Sequence, residues 1–507
     1  MTSTPLWLAW PILFACASLA ASQDVSLSAR DGSLSIDGTL QGYDGEFYRI
    51  LSSYGPLTVD AHGVICDGPG CPDLTAPFAT IRMTGASGPS QALLLPLWST
   101  FAVQKGLRVK PEPVDTGGFS LLLLEPVVAK PVARIIFSPS TPEAARLALA
   151  EAGADLVVTF RPEEGSAERV VALDALVPIV ARDNTVPVIT TADLARTLTG
   201  KVENWTELGG PDMPVALHAL VPDTSLAEAL EARLGNPVAA TILHKTAGDL
   251  AAAVARDPYA LAITARSDIG TARALPLSDS CGFPLQPSSL AIKAEDYPLV
   301  LPVFLQTPRR RLPLIAREFL EFLADPAAQE ATADSGFVNR APERWPLTAD
   351  GVRLINAIRG AGEETVLADL QRIAETMAAT DRLSLTFRFE DGSATLDSQS
   401  QNNLSDLATL MAVGSFRGQD MILAGFSDGS GPASDNLGLS RQRAESVLAA
   451  LTLAAPDLPP GQTLPRVEAF GEALPMACDT TSGGRKLNRR VELWLRPARG
   501  VTADAAP

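Results

Sequence analysis

The pattern of apolar and polar positions divides the chain into four tracts. Over residues 23–78, short alternations stand between turn residues: Val25-Ser26-Leu27-Ser28, Leu34-Ser35-Ile36 and Leu57-Thr58-Val59. A period of two puts every second side chain on one face, so these predict half-buried strands of a small β unit. The pattern changes at Ala79. Ala79–Met83, Gly118–Leu124, Arg134–Phe137, Asp155–Phe160 and Ala175–Val180 are short apolar runs, and Gln91–Lys105 and Thr141–Gly153 carry helical spacing between them. Strands alternating with helices predict an α/β sheet, whose ligands bind beyond the carboxyl ends of the strands. In Trp345–Thr380, Leu354, Ile358, Leu367, Leu370, Ile373 and Met377 recur at helical spacing, broken by Gly360 and Gly362. Two short helices with a flexible joint fit this, a helical linker over 346–380. The last tract, 381–499, predicts strands at Leu383–Phe389, Met421–Ala424, Arg466–Phe470 and Val491–Leu495, with helices at Ser398–Ala412 and Leu437–Leu451. That is a compact α+β domain, and Leu439, Ala444, Val447 and Leu451 form the apolar side of its second helix. Residues 500–507 read as a disordered tail.

Composition narrows the class. A chain of 507 residues with 46% hydrophobic content can fill several cores, in roughly three domains. The net charge of −17 argues against nucleic acid, whose phosphates require a basic surface. Leu6–Ala20 is apolar but shorter than a bilayer span, and Ala20-Ala21-Ser22 suits cleavage before Gln23, so residues 1–22 read as a signal peptide. Leu13-Phe14-Ala15-Cys16 is a poor lipobox because Phe14 is bulky; an outer-membrane lipoprotein anchored through Cys16 is the lesser reading. Cys66 and Cys71 enclose a Gly-Pro-Gly turn, and export favours a disulfide between them. Cys281 and Cys478 are left open, either paired across domains or both free.

The densest chemistry lies in Gly425–Val447, read as a loop followed by a helix. Asp428 and Asn436 fall in the loop and Arg443 one turn into the helix. A carboxylate, an amide and a guanidinium gathered there suit a zwitterion, since a carboxylate takes an ammonium and Arg takes a carboxylate bidentately. Gly425-Phe426-Ser427-Asp428-Gly429 also fits the nucleophile elbow of hydrolases. That fold needs a histidine after the serine, and His62, His218 and His244 all precede it. Ser427-Asp428, Gly431, Asn436, Leu439-Ser440 and Arg443-Ala444, with the closing Asn488-Arg489-Arg490-Val491-Glu492, resemble the core of the OmpA-like peptidoglycan-binding domain over about Leu383–Leu495. Phe426-Ser427 stands where that family usually has His-Thr. The resemblance implies that Asp428 and Arg443 hold the diaminopimelate of the peptidoglycan stem, with Asn436 beside them.

In the second tract, Thr84-Gly85-Ala86-Ser87 is a Gly-containing turn at a helix N-terminus, which offers backbone N–H groups to an anion. Further on, Leu198-Thr199-Gly200-Lys201-Val202-Glu203-Asn204-Trp205-Thr206-Glu207-Leu208-Gly209-Gly210, then Tyr297-Pro298-Leu299 and Ser335-Gly336-Phe337-Val338, resemble the periplasmic binding proteins of phosphate ABC transporters over about Thr80–Ala341. The resemblance implies two α/β lobes closing on an anion: lobe one 79–178 and 290–345, lobe two 179–289. It implies contacts from Gly85, Ala86 and Ser87, from Thr159 and Arg161, and from Thr224 and Ser225 at a lobe-two helix start. Asp223 departs from the family there; it reads as the N-cap of that helix, with a charge that would repel an oxyanion. Asn204-Trp205 and Gly209-Gly210 read as packing and turn residues, and Arg309-Arg310-Arg311 as a solvated turn.

The expectation is therefore an α/β, two-lobed periplasmic-binding-protein fold preceded by a small β unit and followed by an α+β OmpA-like domain. Its implied function is binding phosphate or a similar oxyanion in the periplasm while tethered to peptidoglycan, for scavenging or sensing, with an ABC transporter permease as an optional further partner. The alternative is an envelope interaction protein whose cleft has lost or changed its ligand. Neither HExxH, a Walker A loop, a Cys–His pair nor a usable triad is present, so no enzyme, metal or cofactor is expected.

Overall fold

The computed structural model describes residues 25–43, 46–71, 78–114, 117–162, 167–347, 351–361, 365–390, 393 and 395–497. The expected signal peptide and the tail over 500–507 lie outside them. The first unit is an antiparallel sheet with spatial order Gly55–Asp60, Phe47–Ser52, Ser35–Tyr43, Val25–Ala29, Val64–Asp67. Val25 and Leu27 face Tyr48 and Ile50 across its small core, two residues apart on each strand as the alternation requires. Cys66 and Cys71 form a disulfide, with Cα atoms 5.9 Å apart. Charged groups hold the unit to the next domain. Glu46 accepts from Arg317 at 2.8 Å, and Arg49 lies 3.6 Å from the buried Asp155. Arg310 donates to the same Asp155 at 2.9 Å, and Arg311 covers the Phe47 ring at 3.8 Å. At Arg310 and Arg311 the expected solvated turn is corrected to a clasp, because the fold brings carboxylates and a ring to them from distant segments; Arg309 is exposed, as expected.

The middle domain has two lobes on one continuous sheet. Its spatial order is Ile242–His244, Ala216–Leu220, Ala260–Ala265, Ala167–Val180, Val300–Thr307, Leu156–Thr159, Ala79–Gly85, Pro131–Pro139, Phe119–Leu124, Arg108–Glu112. The strand Ala167–Val180 belongs to both lobes: residues 167–175 pair with Val300–Thr307 and residues 176–179 with Ala260–Ala265. The predicted Ala175–Val180 is only its end. Residues 170–181 are buried without a break, so no alternation marks where the strand begins. In the first lobe Trp98 stacks on Phe319 at 3.7 Å. In the second, Trp205 is fully buried and donates to the Tyr259 carbonyl at 2.8 Å, and Gly209 closes its turn at φ 76°.

The C-terminal sheet runs Arg344–Pro346, Asp381–Phe387, Arg490–Pro497, Gln419–Phe426, Arg466–Ala469. Met421 and Leu423 point to one face, where helices Ser398–Ala412 and Ala433–Ala454 cover them. Ile422 and Ala424 point to the other, where Ala357, Ile373 and Met377 cover them. Those three belong to helices Gly351–Arg359 and Leu367–Met377. The tract expected as a linker is thus a packing layer of this domain, although Ile358 and Leu367 remain exposed. An unbroken apolar run such as Met421–Ala424 is what a strand covered on both faces needs.

This domain is bound firmly to the lobes. Cys281 and Cys478 are disulfide-bonded, 197 residues apart, and the Cys478 N–H donates to Asp279 at 2.7 Å. Arg382 pairs with Asp296 of the lobed domain and lies 3.3 Å from Glu492. Glu492 has no exposed surface and also meets Arg353 and Arg490, each at 2.7 Å, and the Trp494 indole at 2.9 Å. Burial alone would raise the Glu492 carboxyl; Arg353, Arg382 and Arg490 outweigh it and hold it well below the usual range. Among the described residues no helix is long and apolar enough to cross a membrane.

Candidate functional site

Two sites arise, one between the lobes and one in the C-terminal domain. Strand Ala79–Gly85 ends in Gly85 at φ 118°, and a Cβ there would stand 2.1 Å from the Val158 carbonyl oxygen, so only glycine fits. The Ala86 N–H donates to that same carbonyl at 2.9 Å and is thereby spent. Ser87 follows, exposed at the start of the short helix Ser87–Pro89, which runs on into the helical segments Ser90–Leu94 and Leu95–Gln104. Thr159 ends the neighbouring strand and accepts from the Arg161 N–H at 3.2 Å. On the second lobe, Thr224 is the N-cap of helix Ser225–Leu234 and accepts from the Ala227 N–H at 3.3 Å. Asp223, expected as that cap, is exposed one residue outside it. The threonine hydroxyl is the group in reach of the first-turn N–H, and this corrects the cap assignment.

Thr159, Arg161 and Ser225 meet around a cavity of about 300 Å³, whose wall also holds Arg146, Glu228 and Gln306. Gly85, Ala86, Ser87 and Thr224 are not in that wall. Arg146 and Arg161, both of the first lobe, each donate to Glu228 Oε1 of the second at 3.3 Å. Arg233 lies near: burial first and then Arg161 pull it down to about 10, still a cation at neutral pH. Among these described residues, three guanidiniums face the Glu228 carboxylate. Nothing in the sequence marks Arg146, which reads as the polar face of a helix. Glu228 follows Ser225 by three residues and mimics a capping box, but the cap sits at Thr224, which frees Glu228 for the cleft.

The second site is built on the loop after strand Gln419–Phe426. Gly425 is required there, because a Cβ would stand 2.1 Å from the Ser440 carbonyl oxygen of the crossing helix. Asp428 accepts from the Ser430 N–H at 3.0 Å and from Arg489 at 3.1 Å. Burial alone would raise its carboxyl; those hydrogen bonds hold it below the ordinary range, so it is an anion at neutral pH. Asn436 lies inside the helix Ala433–Ala454, which starts a turn earlier than predicted, and not in the loop. It is buried and donates to Glu472 at 2.7 Å. The buried stripe of that helix is Asn436, Ser440, Ala444, Val447 and Leu451; Leu439 is exposed. The Ser, Asp, Gly and Pro residues before Leu437, with the polar but buried Asn436, are why the sequence places the helix start a turn late.

Arg443 is half-buried, and its Nη1 is a buried donor with no hydrogen-bond acceptor among the described residues. Burial and then Arg489 lower its pKa, and Asp428 raises it, so all three charges act on one another. A buried guanidinium N–H left without an acceptor costs free energy unless something supplies one. Arg489 is the residue passed over in the closing motif. The arrangement offers a carboxylate to a cation and a guanidinium to an anion. Among the described residues no three His, Cys, Asp or Glu side chains are gathered for a metal ion.

A model of the PBP superfamily domain matches residues 73–327, and a model of the OmpA family matches residues 388–489. The probable lipoprotein YiaD of Escherichia coli (strain K12) is 34% identical over 109 residues, 22% of this chain and 47% of that protein. The chain thus spans about half the length of that curated relative. Among solved structures, a putative phosphate ABC transporter substrate-binding protein with bound phosphate from Clostridium perfringens is 16% identical, with a TM-score of 0.42, over 51% of this chain and 99% of that one. An ABC-type phosphate transport receptor from Vibrio cholerae is 16% identical, with a TM-score of 0.40, over the same shares.

Proposed function

From a chain that belongs to the PBP superfamily over residues 73–327 and carries an OmpA-family domain over 388–489, we propose an envelope protein that captures a small oxyanion between its lobes while held to peptidoglycan. Phosphate is the first candidate ligand. The anchor half rests on the unsatisfied Arg443 Nη1 beside the Asp428–Arg489 pair. The free end of a diaminopimelate stem carries both the ammonium and the carboxylate that such a clamp takes. The capture half rests on Arg146, Arg161, Thr159 and Ser225 around a cavity walled by both lobes. A carrier fixed to the wall suits scavenging or sensing, and a permease would be a further partner.

Calorimetric titration of the full chain with phosphate, against sulfate, tests the capture half. The full chain is used because Cys281 is bonded to Cys478 across the domains. Arg161→Ala combined with Ser225→Ala is expected to weaken phosphate binding at least tenfold, a loss of about 1.4 kcal/mol. Retained affinity in that variant, with a loss in Ser87→Ala, would move the seat to the Gly85–Ser87 turn. A second reading, an interaction protein whose cleft no longer takes a free anion, is favoured by one observation: Glu228 already sits on both guanidiniums.

A further inference from the structure

Glu228 extends from helix Ser225–Leu234 of the second lobe to the first. One of its carboxylate oxygens, Oε1, lies 3.3 Å from Arg146 Nη1 and 3.3 Å from Arg161 Nη1. Arg146 stands on helix Pro142–Ala150 and Arg161 on the loop after strand Leu156–Thr159, so the two come from separate elements and converge on a single oxygen. That is the arrangement a bound oxyanion would have. The cavity wall beside it supplies the Thr159 and Ser225 side chains and the buried Gln306.

We propose that Glu228 is a resident competitor for the oxyanion seat: its carboxylate occupies the fork of Arg146 and Arg161, latches the lobes together without ligand, and must be displaced for an anion to enter. The proposal rests on reading the cleft as an oxyanion seat. Its physical basis is that an ion pair bridging two lobes stabilises the closed form as a ligand would, while the seat stays full. The side chains keep partial exposure, 25% for Glu228 and 44% and 45% for the two arginines, and ion pairs of this kind are weak. The latch is thus displaceable. A tetrahedral anion brings several acceptor oxygens to the same two guanidiniums, where Glu228 engages both through one. Affinity measured on the parent is reduced by the fraction of molecules whose fork is free. The acid that matters is then Glu228 inside the wall, not the exposed Asp223 that the sequence brings forward.

The test is titration of the full chain with inorganic phosphate, and separately with sulfate, for the parent, Glu228→Gln, Glu228→Ala and Asp223→Asn. Small-angle scattering of each without ligand reports lobe opening. Glu228→Gln is expected to bind at least tenfold more tightly than the parent and to be more open without anion. Glu228→Ala should match it, and Asp223→Asn should change affinity less than twofold, because it removes the same charge from outside the wall. Equal affinity in parent and both Glu228 variants overturns the competitor while leaving the oxyanion seat standing. Equal tightening in Asp223→Asn also overturns it, since general charge would then explain the gain. No binding by any variant overturns the seat and the competitor together.

Discussion

Replacing Glu492 by alanine will lower the unfolding free energy by about 3–5 kcal/mol, the cost typical of removing one partner of a buried ion pair. The reason lies in what stays behind. Arg353, Arg382 and Arg490 are all nearly or fully buried, and Glu492 is the carboxylate they share. Without it, three guanidiniums would repel one another away from water, with Asp296 left to pair Arg382. The effect will reach across domains, since Asp296 belongs to the lobed domain and Arg353 to the layer behind the C-terminal sheet. Urea unfolding followed by tryptophan fluorescence checks it, because the Trp494 indole donates to Glu492 itself. A change below about 1 kcal/mol would show that the cluster relaxes or admits water, the outcome for exposed pairs. The sign with pH follows from the depressed carboxyl. Its stabilisation is in place above the unfolded glutamate value of about 4.3 and is lost as pH falls through the lower folded value. The alanine variant will lack that acid-side loss.

The architecture was readable wherever a local pattern had one physical solution. The alternation in Val25–Ser28, the apolar run Met421–Ala424 and the turn at Gly209-Gly210 each carry their geometry within a few residues. What stayed hidden depends on groups brought together from afar. Cys281 and Cys478 are separated by 197 residues, and nothing local to either tells whether they meet. The two helices at 351–359 and 367–377 are legible from their spacing, but they read as a linker with a flexible joint, because Gly360 and Gly362 break the pattern between them. The sheet face that buries Ile373 and Met377 is formed by strands further along the chain. The sequence predicts helix Ala433–Ala454 only from Leu437, because Ser430, Gly431, Pro432, Ser434 and Asp435 crowd as in a loop and Asn436 is polar yet buried. Burial of such groups is allowed only by partners such as Glu472, which the sequence places 36 residues away. The same holds for the cleft. Asp223 breaks a family pattern and stands outside the cavity wall, whereas Arg146 and Glu228 break none and line it.

Arg443→Ala is expected to weaken binding to purified peptidoglycan by roughly 30-fold or more, as truncating a desolvated charge partner costs about 2–5 kcal/mol. The fold should survive, because Nη1 makes no hydrogen bond within the described protein and its removal orphans no other group there. Arg443→Lys should restore little: an ammonium cannot present two parallel N–H groups to a carboxylate. Asp428 needs a different test. It holds Arg489 and the Ser430 N–H, so alanine would disturb the loop as well as the ligand seat. Asp428→Asn keeps the shape and removes the charge, and should weaken wall binding by a similar factor if the carboxylate receives an ammonium. Co-sedimentation with peptidoglycan containing diaminopimelate, set against sacculi in which lysine replaces it, separates the two halves of the clamp. Lysine keeps an ammonium and lacks the side-chain carboxylate. The parent should therefore prefer the diaminopimelate wall, and Arg443→Ala should lose that preference along with its affinity. Parent-like sedimentation of both Arg443→Ala and Asp428→Asn would mean that the site takes another ligand, because no zwitterion clamp can lose either charge without weakening.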